Sequence, residues 1–140
     1  YTFIYSGGFN FLSNRERAIF DVVIGNPPYG KIGTVKDREA AEKFVRRSLT
    51  LLVPGGWLSF LLPLGFIAGQ SRGRGLYRDY PPTRVSICTE RPSFTGDGRT
   101  DATDYALYLF QSGYSGETRL DWITPSEFAE NSQLRLTGGF

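Results

Sequence analysis

The stretch that most limits how this chain can fold is residues 20–30, FDVVIGNPPYG. A short apolar run rich in Val and Ile has the pattern of a strand covered on both faces, as in a parallel sheet under helices. It stops at Asn26-Pro27-Pro28-Tyr29. Proline fixes φ and removes the backbone donor that a strand ladder needs. A Pro-Pro pair by itself only terminates a strand; here it is framed by an amide side chain and an aromatic ring at the point where the chain must turn.

The rest of the chain supplies partners for that strand. YTFIY (1–5) reads as a short strand closed by Gly7-Gly8. Asp37 can cap a helix over Arg38–Leu52, with Ala41, Phe44, Val45, Leu49 and Leu52 at helical spacing and Glu42, Lys43, Arg46 and Arg47 on the wet side. Pro54-Gly55-Gly56 stops it. WLSFLLP (57–63) is a second buried strand, GFIAGQSRGRG (65–75) a glycine-rich loop, and Leu76–Tyr80 a helical turn. RVSICTERPSF (84–94) makes a third strand and its loop, with Cys88 a buried strand residue. DYALYLFQSG (104–113) makes a fourth, and ETRLDWIT (117–124) is expected to pair with it across Gly113–Gly116.

Alternating strands and helices make an α/β domain. A right-handed crossover sets the first two long strands parallel. At 140 residues this is one domain, with its core at about 20–124 and a polar tail at 125–140. Ligands of such sheets bind beyond the carboxyl ends of the strands. NPPY, GFIAGQS and RPSFTGDG all fall at such ends, so a site is expected along that edge.

Composition narrows the chemistry. There is no His and one Cys, which nearly closes off zinc sites, imidazole acid–base catalysis and an internal disulfide. The net charge of +2 does not by itself argue for nucleic acid, but 13 of the 16 basic residues are Arg, the residue better suited to phosphate and planar partners. No secretory leader and no long apolar run appears, so no membrane span is expected and the cytoplasm is the default compartment. The chain contains no Met, including at position 1, which suits a fragment of a larger reading frame.

FDVVIGNPPYG resembles the catalytic motif of the amino-group methyltransferases that use S-adenosylmethionine, above all the DNA adenine-N6 methyltransferases of restriction–modification systems and phages. Three further segments resemble that family in family order: GGFNFL (7–12), PGGWLSFLLPLGF (54–66) and RPSFTGDGRTDATDYALYLF (92–110). Asn10 stands where an Asp is common. The similarity spans about residues 7–124. It implies the C-terminal half of a Rossmann-like methyltransferase sheet, mostly parallel with antiparallel last strands. The implied activity is methyl transfer to the N6 amine of adenine in DNA, in the cytoplasm of a bacterial, archaeal or phage-infected cell.

The resemblance also implies roles for residues. The Asn26 side-chain oxygen and the Pro27 carbonyl would accept the two N–H groups of the target amine. Pro28 would stiffen the loop, and Tyr29 would stack on a base flipped out of the duplex. Phe94 would close the other side of that base, although a strand-end core position explains it too. Asn26 would also border the cofactor. Asp37 either faces the cofactor or favours the helix N-terminus, as does Glu39. Lys31, Arg72 and Arg74 could meet DNA phosphate, with Gly65 and Ser71 beside them, or simply line a solvated loop.

Family enzymes bind S-adenosylmethionine at a glycine-rich turn after the first strand, with an acidic residue after the second. Neither precedes NPPY here, and Gly7-Gly8 has the wrong spacing for that turn. A second chain, a homodimer mate or a rearranged N-terminus is therefore expected to cover the open edge beside FDVVIG. Two other readings share the motif: transfer to a protein glutamine amide or an RNA guanine amine, and an inactive remnant serving as a structural or nucleic-acid-binding module.

Overall fold

The computed structural model describes residues 20–32, 35–37, 39–93, 96–99 and 102–127. The segments YTFIY and GGFNFL, residue Phe94 and the tail from residue 128 lie outside them.

The apolar run is a strand, β1 (Phe20–Gly25). After Asn26–Tyr29 the chain makes a small antiparallel hairpin, β2 (Gly30–Ile32) and β3 (Val35–Asp37), with Gly30 opposite Asp37. Helix α1 (Ala40–Leu51) then carries the chain back to β4 (Leu52–Pro63), which pairs parallel with β1. A 3-10 turn (Leu64–Ile67), short helices α2 (Gln70–Arg74) and α3 (Leu76–Asp79), and strands β5 (Arg84–Cys88), β6 (Tyr105–Gln111) and β7 (Arg119–Ile123) follow. The five long strands form one sheet in the order β1-β4-β6-β5-β7. β6 runs antiparallel to both its neighbours, and β5 and β7 pair parallel, so four strands share one direction.

One face of this sheet holds the core. Leu58, Phe60 and Leu62 of β4 lie beside Ala106, Tyr108 and Phe110 of β6 and Val85 of β5. Ala41, Val45 and Leu49 of α1, spaced four apart, pack onto them. Phe66 and Leu76 cover the rest. On the wet side of α1, Arg46 reaches Glu42 one turn back at 3.1 Å. The buried Ser48 hydroxyl donates to the Phe44 carbonyl at 2.7 Å, which satisfies it inside the helix.

Four expectations change. Asp37 does not cap α1: it ends β3, the N-cap is Glu39, and the first turn is closed by Lys43 N–H on the Glu39 carbonyl at 2.9 Å. Pro54-Gly55-Gly56 does not stop the helix, which has already ended at Leu51; it forms a bulge inside β4. Between the pairs Phe20–Leu52 and Val22–Trp57, β1 advances two residues and β4 five. ETRLDWIT does not pair with the fourth strand, because both edges of β6 are taken, by β4 and β5. Thr118 and Arg119 instead bond to the carbonyls of Pro82 and Thr83 and start β7 alongside β5. Finally, β1 is not covered on both faces by the described residues: Val22 is 50% and Ile24 77% exposed.

Candidate active site

Parallel strands bring their carboxyl ends together. Asn26–Tyr29 leaves the end of β1, the 3-10 turn leaves the end of β4 beside it, and the antiparallel β6 begins at the same edge with Tyr105 opposite Pro63. The loop after β1 has no regular structure, as two prolines require. Within it Asn26 and Pro28 are exposed and Pro27 is buried. Gly25, just before the loop, lies against Phe60: a Cβ there would sit 3.2 Å from the ring.

Tyr29 is 37% exposed. Its hydroxyl shares a hydrogen bond with the hydroxyl of Tyr105, across 76 residues of sequence. The ring centroids are 6.0 Å apart at 62°, an edge-on arrangement. Tyr29 is therefore not already stacked face to face, and an incoming planar group can use its ring.

The turn after β4 is a second wall. Its carbonyls are tied from behind: Tyr108 donates to those of Pro63 and Leu64, at 3.1 Å from each, and Tyr77 donates to that of Phe66. Arg72 Nε donates to Phe66 at 2.9 Å and Ala68 at 3.0 Å, and its Nη2 reaches Gly65 at 3.3 Å. The guanidinium also lies 4.9 Å over the Phe66 ring, which meets Tyr77 and Tyr108 edge-on. Burial pushes both of these tyrosine hydroxyls well above their usual range, so they remain neutral donors. The start of β6 is fixed to this wall by Leu64 N–H on the Asp104 carbonyl at 2.8 Å. Arg91 holds the Asp104 carboxylate at 2.9 Å.

Of the residues singled out in the sequence, Asn26, Pro27, Pro28 and Tyr29 thus gather at one edge with Gly65. Lys31 and Asp37 lie in the hairpin that follows, Lys31 opposite Lys36. Arg72 is half-buried and committed to backbone carbonyls, whereas Arg74 at the end of α2 is exposed, as is Ser71. Phe94 lies outside the described residues. Burial raises the Cys88 thiol, which leaves it a poor nucleophile. Among the described residues no cluster of metal-ligating side chains occurs, and no helix is long and apolar enough to cross a membrane.

Tyr105, Tyr77 and Tyr108 escaped the sequence reading, in which they were ordinary strand and helix aromatics. The only available signal was the position of Tyr105 at the start of its strand, beside Asp104.

The edge combines groups suited to a flat molecule with amine hydrogens. It offers an amide acceptor at Asn26, a stiff proline loop and a tethered aromatic ring, and it contains no histidine base. The family described as Eco57I restriction-modification methylase matches residues 5–80, more than half of the chain and all of this loop. No curated protein matches. Among solved structures, a Listeria monocytogenes protein assigned to the class I S-adenosylmethionine-dependent methyltransferases is 16% identical with a TM-score of 0.58, over 88% of this chain and 44% of that one. A chain from a structure of the type I R-M system is 21% identical with a TM-score of 0.54, over 93% of this chain and 33% of that one. At these identities the likeness is one of fold. The chain spans less than half the length of either neighbour.

Proposed function

The chain belongs to the Eco57I restriction-modification methylase family, and on that premise we propose that it carries the catalytic loop of a DNA methyltransferase acting on the N6 amine of adenine. The observation that carries this is the Asn26–Tyr29 loop itself, with an exposed amide, a buried proline and a tethered, half-exposed tyrosine at the carboxyl end of β1.

The exocyclic amine of adenine is a poor nucleophile because its lone pair is delocalised into the ring. Two acceptors aimed at its hydrogens favour a pyramidal nitrogen and free that pair. The Asn26 side-chain oxygen and the Pro27 carbonyl take these roles. Both are held before charge develops, because the prolines leave the loop little freedom. No strong base is required before attack, in keeping with a chain without histidine. Tyr29 stacks on the extruded base, an interaction worth about 1–3 kcal/mol. Phe94 would close the opposite side, and Lys31 and Arg74 would meet phosphate. A phosphate contact from Arg72 would have to compete with the carbonyls it already binds.

The methyl donor would be S-adenosylmethionine, and the described residues do not enclose it. Among the described residues β1 is an edge strand with no neighbour on its outer side, and of the residues assigned to such a pocket Asn26 stands at its end. Residues beyond those described would complete it.

The test is to incubate the protein with unmethylated DNA and methyl-labelled S-adenosylmethionine, then to analyse the nucleosides. Label in N6-methyladenine supports the proposal. Label in guanine of RNA or in peptide glutamine, offered in parallel, transfers the loop to another amine. Failure to label anything, together with no binding of S-adenosylmethionine by calorimetry, leaves an inactive module.

A further inference from the structure

We propose that the buried Tyr105 is a positioning residue for Tyr29: its hydroxyl pins the far end of the ring on which the target base stacks, and its edge-on ring limits the tilt of that ring. The inference rests on the reading of Asn26–Tyr29 as a base site and goes beyond it by giving that site a fixed anchor on a different strand.

Tyr105 is suited to the role because it cannot move. It is 0% exposed, although Leu107, two residues along on the same face of β6, is 37% exposed. Its backbone pairs with Pro63 at the end of β4, and the preceding carbonyl of Asp104 accepts the Leu64 N–H at 2.8 Å. The Asp104 carboxylate is held in turn by Arg91. Tyr29, by contrast, sits in a loop without regular structure and is 37% exposed. A phenol ring in such a loop would turn about its side-chain torsions and present a range of planes. The Tyr105 hydroxyl is a fixed point two strands away, beyond β4, and it catches the far end of the ring. The edge-on contact orients Tyr29 without covering it by parallel stacking. Ordering the ring beforehand removes a cost that base binding would otherwise meet.

The experiment uses the whole chain and a mixed-sequence single-stranded oligonucleotide carrying one 2-aminopurine, whose fluorescence falls when it stacks on an aromatic ring. Tyr29→Ala should abolish the quenching. Tyr105→Phe keeps the buried ring and loses only the hydroxyl, and should weaken quenched binding roughly 3- to 10-fold, the worth of one hydrogen bond. Tyr29→Phe removes the same bond from the exposed partner and should lose the same factor. The double variant should lose no more than either single one, a non-additivity that a merely structural Tyr105 would not give. In ring-labelled protein, the carbon resonances of Tyr29 should shift in Tyr105→Phe before any oligonucleotide is added.

Wild-type binding in Tyr105→Phe, or losses that add in the double variant, overturns the anchor while leaving the base site standing. If Tyr105→Phe does not fold, undiminished binding by Tyr29→Phe overturns the anchor in the same way. Unchanged quenching in Tyr29→Ala overturns the base site and the anchor with it.

Discussion

At the scale of single residues, Asn26 and its neighbours divide the work by environment. Asn26 is exposed, so its replacement should leave the fold intact, whereas Pro27 is buried and Tyr29 is tied down. On the function proposed above, Asn26→Ala removes one acceptor for the amine and should lower methyl transfer about 100- to 1,000-fold, as loss of one preorganised hydrogen-bonding group does elsewhere. Asn26→Asp keeps an acceptor and should retain more activity than Asn26→Ala; a labelled-methyl assay with circular dichroism as the folding control ranks the two. Arg72 makes the opposite case. Its guanidinium joins the carbonyls of Gly65, Phe66 and Ala68, so Arg72→Gln should lower stability by about 1–2 kcal/mol in urea unfolding. If stability holds and only the salt dependence of DNA binding falls, Arg72 is a phosphate contact instead. The Asn26–Tyr29 loop could be read in the sequence because its chemistry is consecutive. The carbonyl-holding role of Arg72 and the anchor at Tyr105 could not, because each depends on where a distant backbone turns.

At the scale of elements, one strand bulge and one side-chain cluster hold the register of the sheet. The β4 bulge places Gly55 at φ +79°, with open space around it, and packs Gly56 where a Cβ would lie 2.9 Å from the Val53 carbonyl oxygen and 3.0 Å from that of Asp21. Backbone atoms cannot step aside as a flexible side chain can. Gly56→Ala should therefore cost about 1–3 kcal/mol, and more than Gly55→Ala, in denaturant unfolding. The β5–β7 pair is held differently, by Asp121 accepting from Arg84 and, at 2.5 Å, from the Ser86 hydroxyl. The Arg84 bond first, and then that of Ser86, hold the Asp121 carboxyl below its ordinary value of 3.8. Because the folded value is the lower one, the stability this contributes is present above the ordinary value and disappears as pH falls through the folded one. Thermal melts taken down through that acid range should lose less in Asp121→Asn than in the wild type. Periodicity was enough to find β1, α1, β4 and β6, since each writes its own apolar pattern. It could not tell that Pro54-Gly55-Gly56 sits inside a strand, or that β7 belongs beside β5. Both follow from which edges are already occupied, a property of the sheet and not of any segment.

At the scale of the whole molecule, the described residues fill one face of the sheet and leave much of the other exposed. Leu58, Phe60, Leu62, Tyr108 and Phe110 pack with α1, Phe66 and Leu76 on one face, while Val22, Ile24, Trp57 and Leu107 are exposed on the opposite one, where Tyr105 is nevertheless buried. The outer edge of β1 likewise has no described partner. An apolar face beside an unpaired strand edge favours association between copies. Ile24 is the sharpest probe of this, being 77% exposed on the strand that leads into the Asn26–Tyr29 loop. Ile24→Lys puts a charge on that face at little cost to the core, because almost no buried surface is lost. It should keep the protein monodisperse in sedimentation at concentrations where the wild type associates, with the melting temperature changed by no more than about 2–4 °C. A large drop in melting temperature would mean that Ile24 is packed against another part of the chain in solution, and the open face would then be closed from within. An unchanged association would move the sticking surface elsewhere, towards Trp122 on β7, which is exposed at the other edge of the sheet.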